Sequence, residues 1–370
     1  MKLSADRLGE ILNVIAPEKY AAEWDNTGYH INLHQQDITG IMLCLDVTEK
    51  IINEAVEQQC NMVVSHHPLL FHPVRSVDNA GYIGKMLHML ISNNISLYCA
   101  HTSMDAAPDG LSCYIADIYG LTNRRVIDST YREQFYKVAV TVPKGSEQLI
   151  KDAMARAGAG VLGDYSHCTY SVEGEGTFMP LTGSSPHIGS QNKLEAVDET
   201  WIQALCSREN VDMVVTEIKR AHPYEMPAID VFVLENELEE KVGFGVVGDL
   251  PQEMTAEAAA KLLKEKLEID SVRLAGDPKE AIQCIGICTG AGGDMVAAAQ
   301  KMGAQLYITG EAKHNYYMER QIGLIEAGHF DTEKCFCALM KRGLQKQLDA
   351  VQYNVPVYET KHLNRPYINY

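Results

Sequence analysis

The sequence predicts an α/β protein: an internally duplicated α/β domain interrupted by a smaller, ferredoxin-like α+β domain. Three observations predict it. Short apolar runs such as Ile41-Met-Leu-Cys-Leu-Asp46 and Met62-Val-Val64 alternate with amphipathic stretches of helical period in the first third, the pattern of parallel β-α-β units with right-handed crossovers. The same plan returns in the last third. Between the two lies a stretch of different texture, with alternating strands and a glycine-rich passage.

In order, Leu8, Ile11, Leu12 and Ile15 fall at helical spacing behind Ser4, a side chain suited to an N-cap. Glu23-Trp-Asp-Asn-Thr-Gly28 has turn chemistry and reads as a turn anchored by a packed Trp24. A buried strand is expected over 41–46, a helix over 48–59 and a strand over 62–64. That strand must stop at Ser65-His-His-Pro68, because proline cannot continue a central strand. A helix over 82–93, a strand over 96–100, His101-Thr-Ser-Met-Asp105 and a helix after Pro108-Asp-Gly110 complete the first copy.

Counting sets the register of the second copy. Ile41–Asp46 and Ile285–Gly290 are 244 positions apart, and the same offset lays Val63-Val-Ser-His-His67 on Tyr307-Ile-Thr-Gly-Glu311. An offset of 228 then lays Leu97-Tyr-Cys-Ala-His101 on Ile325-Glu-Ala-Gly-His329. Glu311 thus takes the place of His67, and His101 and Asp105 correspond to His329 and Glu333.

Between the copies, Tyr136–Val142 alternates as a strand, 147–157 is an amphipathic helix, 210–220 a second helix and Ala228–Val233 another strand. This order predicts an inserted α+β domain over 127–236, flanked by 1–126 and 237–370 as the two halves of the larger domain. Gly243-Phe-Gly-Val-Val-Gly248 re-enters that domain and lacks the strand-to-helix context of a dinucleotide site.

The 370 residues carry a formal charge of −17, which argues against a general nucleic-acid binder. No apolar run approaches the roughly 20 residues that span a bilayer, and the charged N-terminus does not resemble a signal peptide. Ten cysteines without a CxxC pair suit a reducing cytoplasm. Cys335-x-Cys337 faces apart on a helix and reads as core. His222-Pro-Tyr-Glu225 reads as turn packing, with a site in the insert as the alternative.

Four pieces converge at strand ends, where α/β folds build their sites: His66-His67, His101-x-x-x-Asp105, Glu311 and His329-x-x-x-Glu333. Each histidine alone reads as a packed core or loop residue. As a set, histidine with carboxylate suits divalent Zn, Fe, Mn, Co or Ni, and the absence of cysteine argues against a closed structural zinc site. A bridging carboxylate such as Glu333 or Asp105 would hold two metals about 3.5–4 Å apart.

Trp24-Asp-Asn-x-Gly28, Ser65-His-His-Pro68, His101-Thr-x-x-Asp105, Thr309-Gly-Glu-x-Lys-His314 and Gly328-His-Phe-Asp-Thr-Glu333 together resemble the GTP cyclohydrolase 1 type 2 homologs, also called Ngg-interacting-factor-three-like proteins, over the whole chain. The resemblance implies two divalent cations per chain on His66, His67, Asp105, His329 and Glu333. His101 matches its motif, with its role open between ligand, ligand support and catalysis; His101 or His314 would move protons. It also implies a metal-dependent hydrolase acting on a nucleotide or other small phosphorylated metabolite, with a non-catalytic regulatory assembly protein as the alternative. A homohexamer and a PII/CutA-like central insert complete the expectation. The 243–248 loop departs from the family's usual arginine-bearing version, with Val246 or Val247 in that place.

Overall fold

Two helix starts show how directly the local sequence is obeyed. The Ser4 hydroxyl accepts from the Arg7 N–H at 3.2 Å to cap the helix Ala5–Ile15, and Thr48 caps Glu49–Glu57 through the Ile51 N–H at 3.4 Å. The computed structural model describes residues 2–34, 37–235 and 242–368. The chain divides into two compact units, Met1–Tyr131 with Lys241–Tyr370, and Arg132–Glu240.

The first unit is mixed α/β and holds two sheets. In one, the strands lie in the order Gly28–Ile31, Ser96–Cys99, Met62–Ser65, Ile41–Cys44, Val357–Glu359, all parallel except the first. Successive residues serve opposite faces. Ile41, Leu43, Met62, Val64 and Tyr98 join a core that includes side chains of the helices Ala5–Ile15 and Phe336–Ala350. Met42, Cys44, Val63 and Leu97 join another with the helices Glu49–Glu57 and Tyr82–Ser92. Burial on both faces is why these strands read as unbroken apolar runs.

The second sheet runs Arg273–Ala275, Gly323–Glu326, Leu306–Thr309, Ala281–Cys288, Val242–Thr255, Thr122–Tyr131, with the three strands after the first parallel and the rest antiparallel. Its ladders correct the sequence register by one residue. Leu97 pairs with Val63 as Leu324 pairs with Tyr307, so Leu97 corresponds to Leu324 and not to Ile325. The extra residue is Gly328, whose φ of +95° lets the chain turn just before His329.

The second unit forms one antiparallel sheet, Thr169–Phe178, Glu195–Ser207, Phe135–Pro143, Ile229–Val233. Its chain order is strand-helix-strand-strand-helix-strand, the split β-α-β arrangement. The helices Glu147–Arg156 and Val211–Ala221 cover one face, where Ile150, Met154, Val214 and Ile218 pack on Val138, Val140 and Ile202.

The insert boundary expected at Ile127 falls inside the strand Thr122–Tyr131, which pairs along Val242–Thr255; the other expected boundary, Asn236, lies outside the described residues. Tyr131 and Val242 are ladder partners, close enough to be joined by a two-residue hairpin turn. Replacing 132–241 with Asn-Gly is therefore expected to leave a folded first unit. Removing 127–236 cuts that strand in half and is expected to give insoluble protein. Circular dichroism and soluble yield of both variants check this, and equal behaviour of the two would refute the boundary.

Candidate metal centre

Parallel pairing brings the site together. The His66 N–H donates to Cys44 O and the His67 N–H to Leu45 O, at 3.1 and 2.9 Å, extending the Ile41–Cys44 and Met62–Ser65 pairing just past the strand ends. Thr102–Asp105 and His329–Glu333 are short helices that follow strands of the two sheets. In the second, the i, i+4 spacing sets His329 Nε2 3.1 Å from Glu333 Oε2.

All four imidazoles are braced through Nδ1. His66 Nδ1 lies 3.0 Å from Ala100 O, His67 Nδ1 2.8 Å from Asp46 Oδ1, His101 Nδ1 2.8 Å from Asp25 Oδ1 and His329 Nδ1 3.1 Å from Glu311 Oε1. A proton donated there leaves each Nε2 as the ligating atom, the support arrangement found behind metal-bound histidine. Three of the Nε2 atoms surround one carboxylate: Glu333 Oε2 is 3.0 Å from His67 and 3.1 Å from His329, and its Oε1 is 3.7 Å from His66. The ring of Phe336, fully buried in the core, lies 5.0 Å from that of His66 and fixes its plane.

Charge within the cluster is unevenly held. Burial would raise Glu333, but the close His329 and His67 imidazoles, with His66 just beyond, hold its carboxyl well below the usual carboxylate range. Burial pushes Asp105 up, against the pull of His66. Burial would lower His67, yet Asp46 and Glu333 push it up to about 10. Asp25 is brought down to about 2, its burial outweighed by hydrogen bonds from His101 and Thr102.

The donor set fits a divalent cation. His66 Nε2 and Asp105 Oδ1 are both buried, face each other at 3.8 Å, and have no hydrogen-bond partner. Leaving such groups unmade costs about 1–3 kcal/mol each, and a cation between them satisfies both. His66, His67 and Glu333 offer donor atoms within 4.8 Å of one another, the one such group among the described residues. Gly290 closes the cradle: at φ +61°, a Cβ there would stand 2.2 Å from Glu333 Oε1.

Of the residues singled out by sequence, His66, His67, His329 and Glu333 come into contact; Asp105 faces His66, and the His101 ring lies 5.4 Å from that of His66. His314 is exposed at the start of the helix His314–Glu319 and makes no hydrogen bond or ion pair with the cluster among the described residues. Trp24 is not packed, as the turn reading had it: it is 64% exposed, and its ring leans on Phe71 and His101. In that turn it is the Asp25 side chain that is closed off from solvent. Asp25 and Asp46 were missed as supports; the available signal was an acid in a tight turn and an acid ending an apolar strand. Val246 and Val247 are buried in the strand Val242–Thr255. A cavity of about 460 Å³ beside the cluster is lined by Arg273, Asp294, Glu311, Lys313, Tyr316 and Glu326.

Among the described residues no helix is long and apolar enough to cross a membrane. The sequence model of the Duf34/NIF3 (NGG1p interacting factor 3) family matches residues 3–366. A Bacillus subtilis protein called GTP cyclohydrolase 1 type 2 homolog is 32% identical over 352 residues, covering 94% of this chain and 93% of its own. A Staphylococcus epidermidis protein of the same name is 33% identical over 370 residues, covering 99% of each. The crystal structure of a Bacillus cereus protein related to NIF3 superposes with a TM-score of 0.87 at 30% identity, covering 100% of both chains. With that match over nearly its whole length, the chain belongs to the Duf34/NIF3 family.

Proposed function

We propose that the chain is a dinuclear-metal-binding, metal-dependent hydrolase acting on a nucleotide or other small phosphorylated metabolite. His66, His67, Asp105, His329 and Glu333 would hold the metals, and His101 and His314 would move protons. The observation that carries it is the bracing of four imidazoles through Nδ1 around buried, unpartnered donors. Two divalent cations of the Zn, Fe, Mn, Co or Ni group would supply Lewis acidity and lower the pKa of water there.

The chain's own residues do the rest. His101, turned by Asp25, keeps Nε2 free to take or give a proton. Lys313 forms no ion pair among the described residues, whereas Arg273 is held by Glu326 at 2.7 Å. Because Asp294, Glu311 and Glu326 outnumber these two cations, an anionic substrate depends on the metal charge to enter. The name carried by the curated relatives supports a nucleotide substrate.

Metal-loaded wild type screened over nucleotides and phosphoesters is expected to show turnover, reduced about 100-fold or more in Glu333→Gln. Metal-loaded wild type without turnover would sink the hydrolase and leave the alternative, a non-catalytic regulatory assembly. One observation favours that alternative: the unit Arg132–Glu240 carries a cavity of its own.

The same proposal takes the two sheets of the first unit as an internal duplication. It takes the second unit as an inserted ferredoxin-like, PII/CutA-like domain making trimeric contacts in a cytoplasmic homohexamer that encloses the metal clefts. Light scattering is expected to return six times the 41.0 kDa of one chain; a clean monomer would remove the enclosed cleft.

A further inference from the structure

The cavity inside the unit Arg132–Glu240 measures about 270 Å³ and is walled by Phe178, Pro180, His187, Glu199, Tyr224 and Met226. Its chemistry is one-sided. Glu199 is only 8% exposed and forms no ion pair among the described residues. Glu225 also lines it, with Oε1 fixed by the Ser185 N–H at 3.1 Å, and no lysine or arginine is in the wall. The Tyr224 hydroxyl is buried beside Glu199, and no other polar group engages it.

The wall is built, and its parts hold one another. His222 lies 2.8 Å from Thr141 O through Nε2 and accepts the Tyr224 N–H on Nδ1 at 3.0 Å. With both nitrogens engaged it is a neutral brace, as the turn reading of His222-Pro-Tyr-Glu225 expects, and it sets Tyr224 into the cavity. Phe178 and His187 gather on Tyr224 with ring centroids at 5.9 and 6.1 Å. Gly176 gives the carboxylate its room, since a Cβ there would stand 2.3 Å from Glu199 Oε2.

A buried carboxylate without a countercharge is costly, and aromatic faces around it favour a cation. Among the described residues no group of three close metal-donor side chains lies in this wall, which favours an organic cation over a metal ion. We propose that this cavity binds a small organic cation, an ammonium or amidinium group on a compact apolar body, with Glu199 as countercharge, the Tyr224 hydroxyl as acceptor and the aromatic rings around the body. The inference does not depend on the metal centre.

The full-length protein is titrated with benzamidine and phenethylammonium, and with neutral benzamide and anionic benzoate as shape controls, by saturation-transfer NMR and calorimetry. Binding of at least one cation at about 10 mM or below is expected, with neither control binding as well. Glu199→Gln is expected to weaken it about tenfold or more and Tyr224→Phe, which keeps the ring, about threefold. The proposal is overturned by wild type that takes neither cation, by benzamide or benzoate binding as tightly, or by unchanged affinity in Glu199→Gln. If Glu199→Gln does not fold, unchanged affinity in Tyr224→Phe overturns it equally.

Discussion

Purified protein is expected to carry close to two divalent metal ions per chain, and the double variant His66→Ala with His329→Ala to carry almost none while remaining folded. The two side chains approach Glu333 from different sheets of the first unit, His66 after the strand Met62–Ser65 and His329 after Gly323–Glu326. Removing both takes away two Nε2 ligand atoms and leaves Glu333 held by His67 alone. The fold does not depend on them, because the cores on both faces of each sheet are built from other side chains. Truncating buried His66 beside Phe336 removes local packing worth about 2–4 kcal/mol, short of the total for a chain of this size. Elemental analysis alongside circular dichroism checks the result. A double variant with undiminished metal at full helicity would place the metals elsewhere; a metal-free wild type, purified without chelator, would end the proposal.

The parts of the fold legible in the sequence are those that local physics fixes. The apolar strands Ile41–Cys44, Met62–Ser65 and Ser96–Cys99 are buried on both faces, and Ser4 and Thr48 announce their helices by capping. The strand Thr122–Tyr131 was missed because it is polar and mostly exposed: its pairing with Val242–Thr255, not its pattern, makes it a strand. The one-residue slip at Gly328 was hidden because counting aligned the two histidines instead of the ladders. Within the site, the histidines and Glu333 announce themselves by residue type at strand ends. Asp25 and Asp46 do not, since each acts through a partner distant in sequence, His101 and His67. Trp24 was misplaced for the opposite reason, a large apolar ring assumed buried that instead leans on His101 in the open.

Gly290→Ala is expected to abolish tight metal binding with only a modest loss of stability. Gly290 follows the strand Ala281–Cys288 at φ +61°, a conformation that costs a side-chain-bearing residue about 1 kcal/mol. Its backbone cannot drift to make room. The Gly290 N–H donates to Thr332 Oγ1 at 3.1 Å, and its carbonyl accepts the Glu311 N–H at 2.8 Å. Gly310 presses from the other side, where a Cβ would lie 2.6 Å from that same carbonyl. The new methyl would stand 2.2 Å from Glu333 Oε1 and 3.6 Å from His329 Nε2, so the carboxylate must leave its present position. Moving the carboxylate that three imidazoles share is expected to weaken metal binding about 100-fold or more, beyond the range seen when a ligand's support is removed. Gly163→Ala isolates the backbone term: its φ is +54° and nothing lies within 4 Å of its added Cβ. That variant is expected to lose about 1 kcal/mol of stability and no metal. Competition titration with a chelator separates the two, and a Gly290→Ala protein that binds as tightly as Gly163→Ala would show that the position of Glu333 does not govern the site.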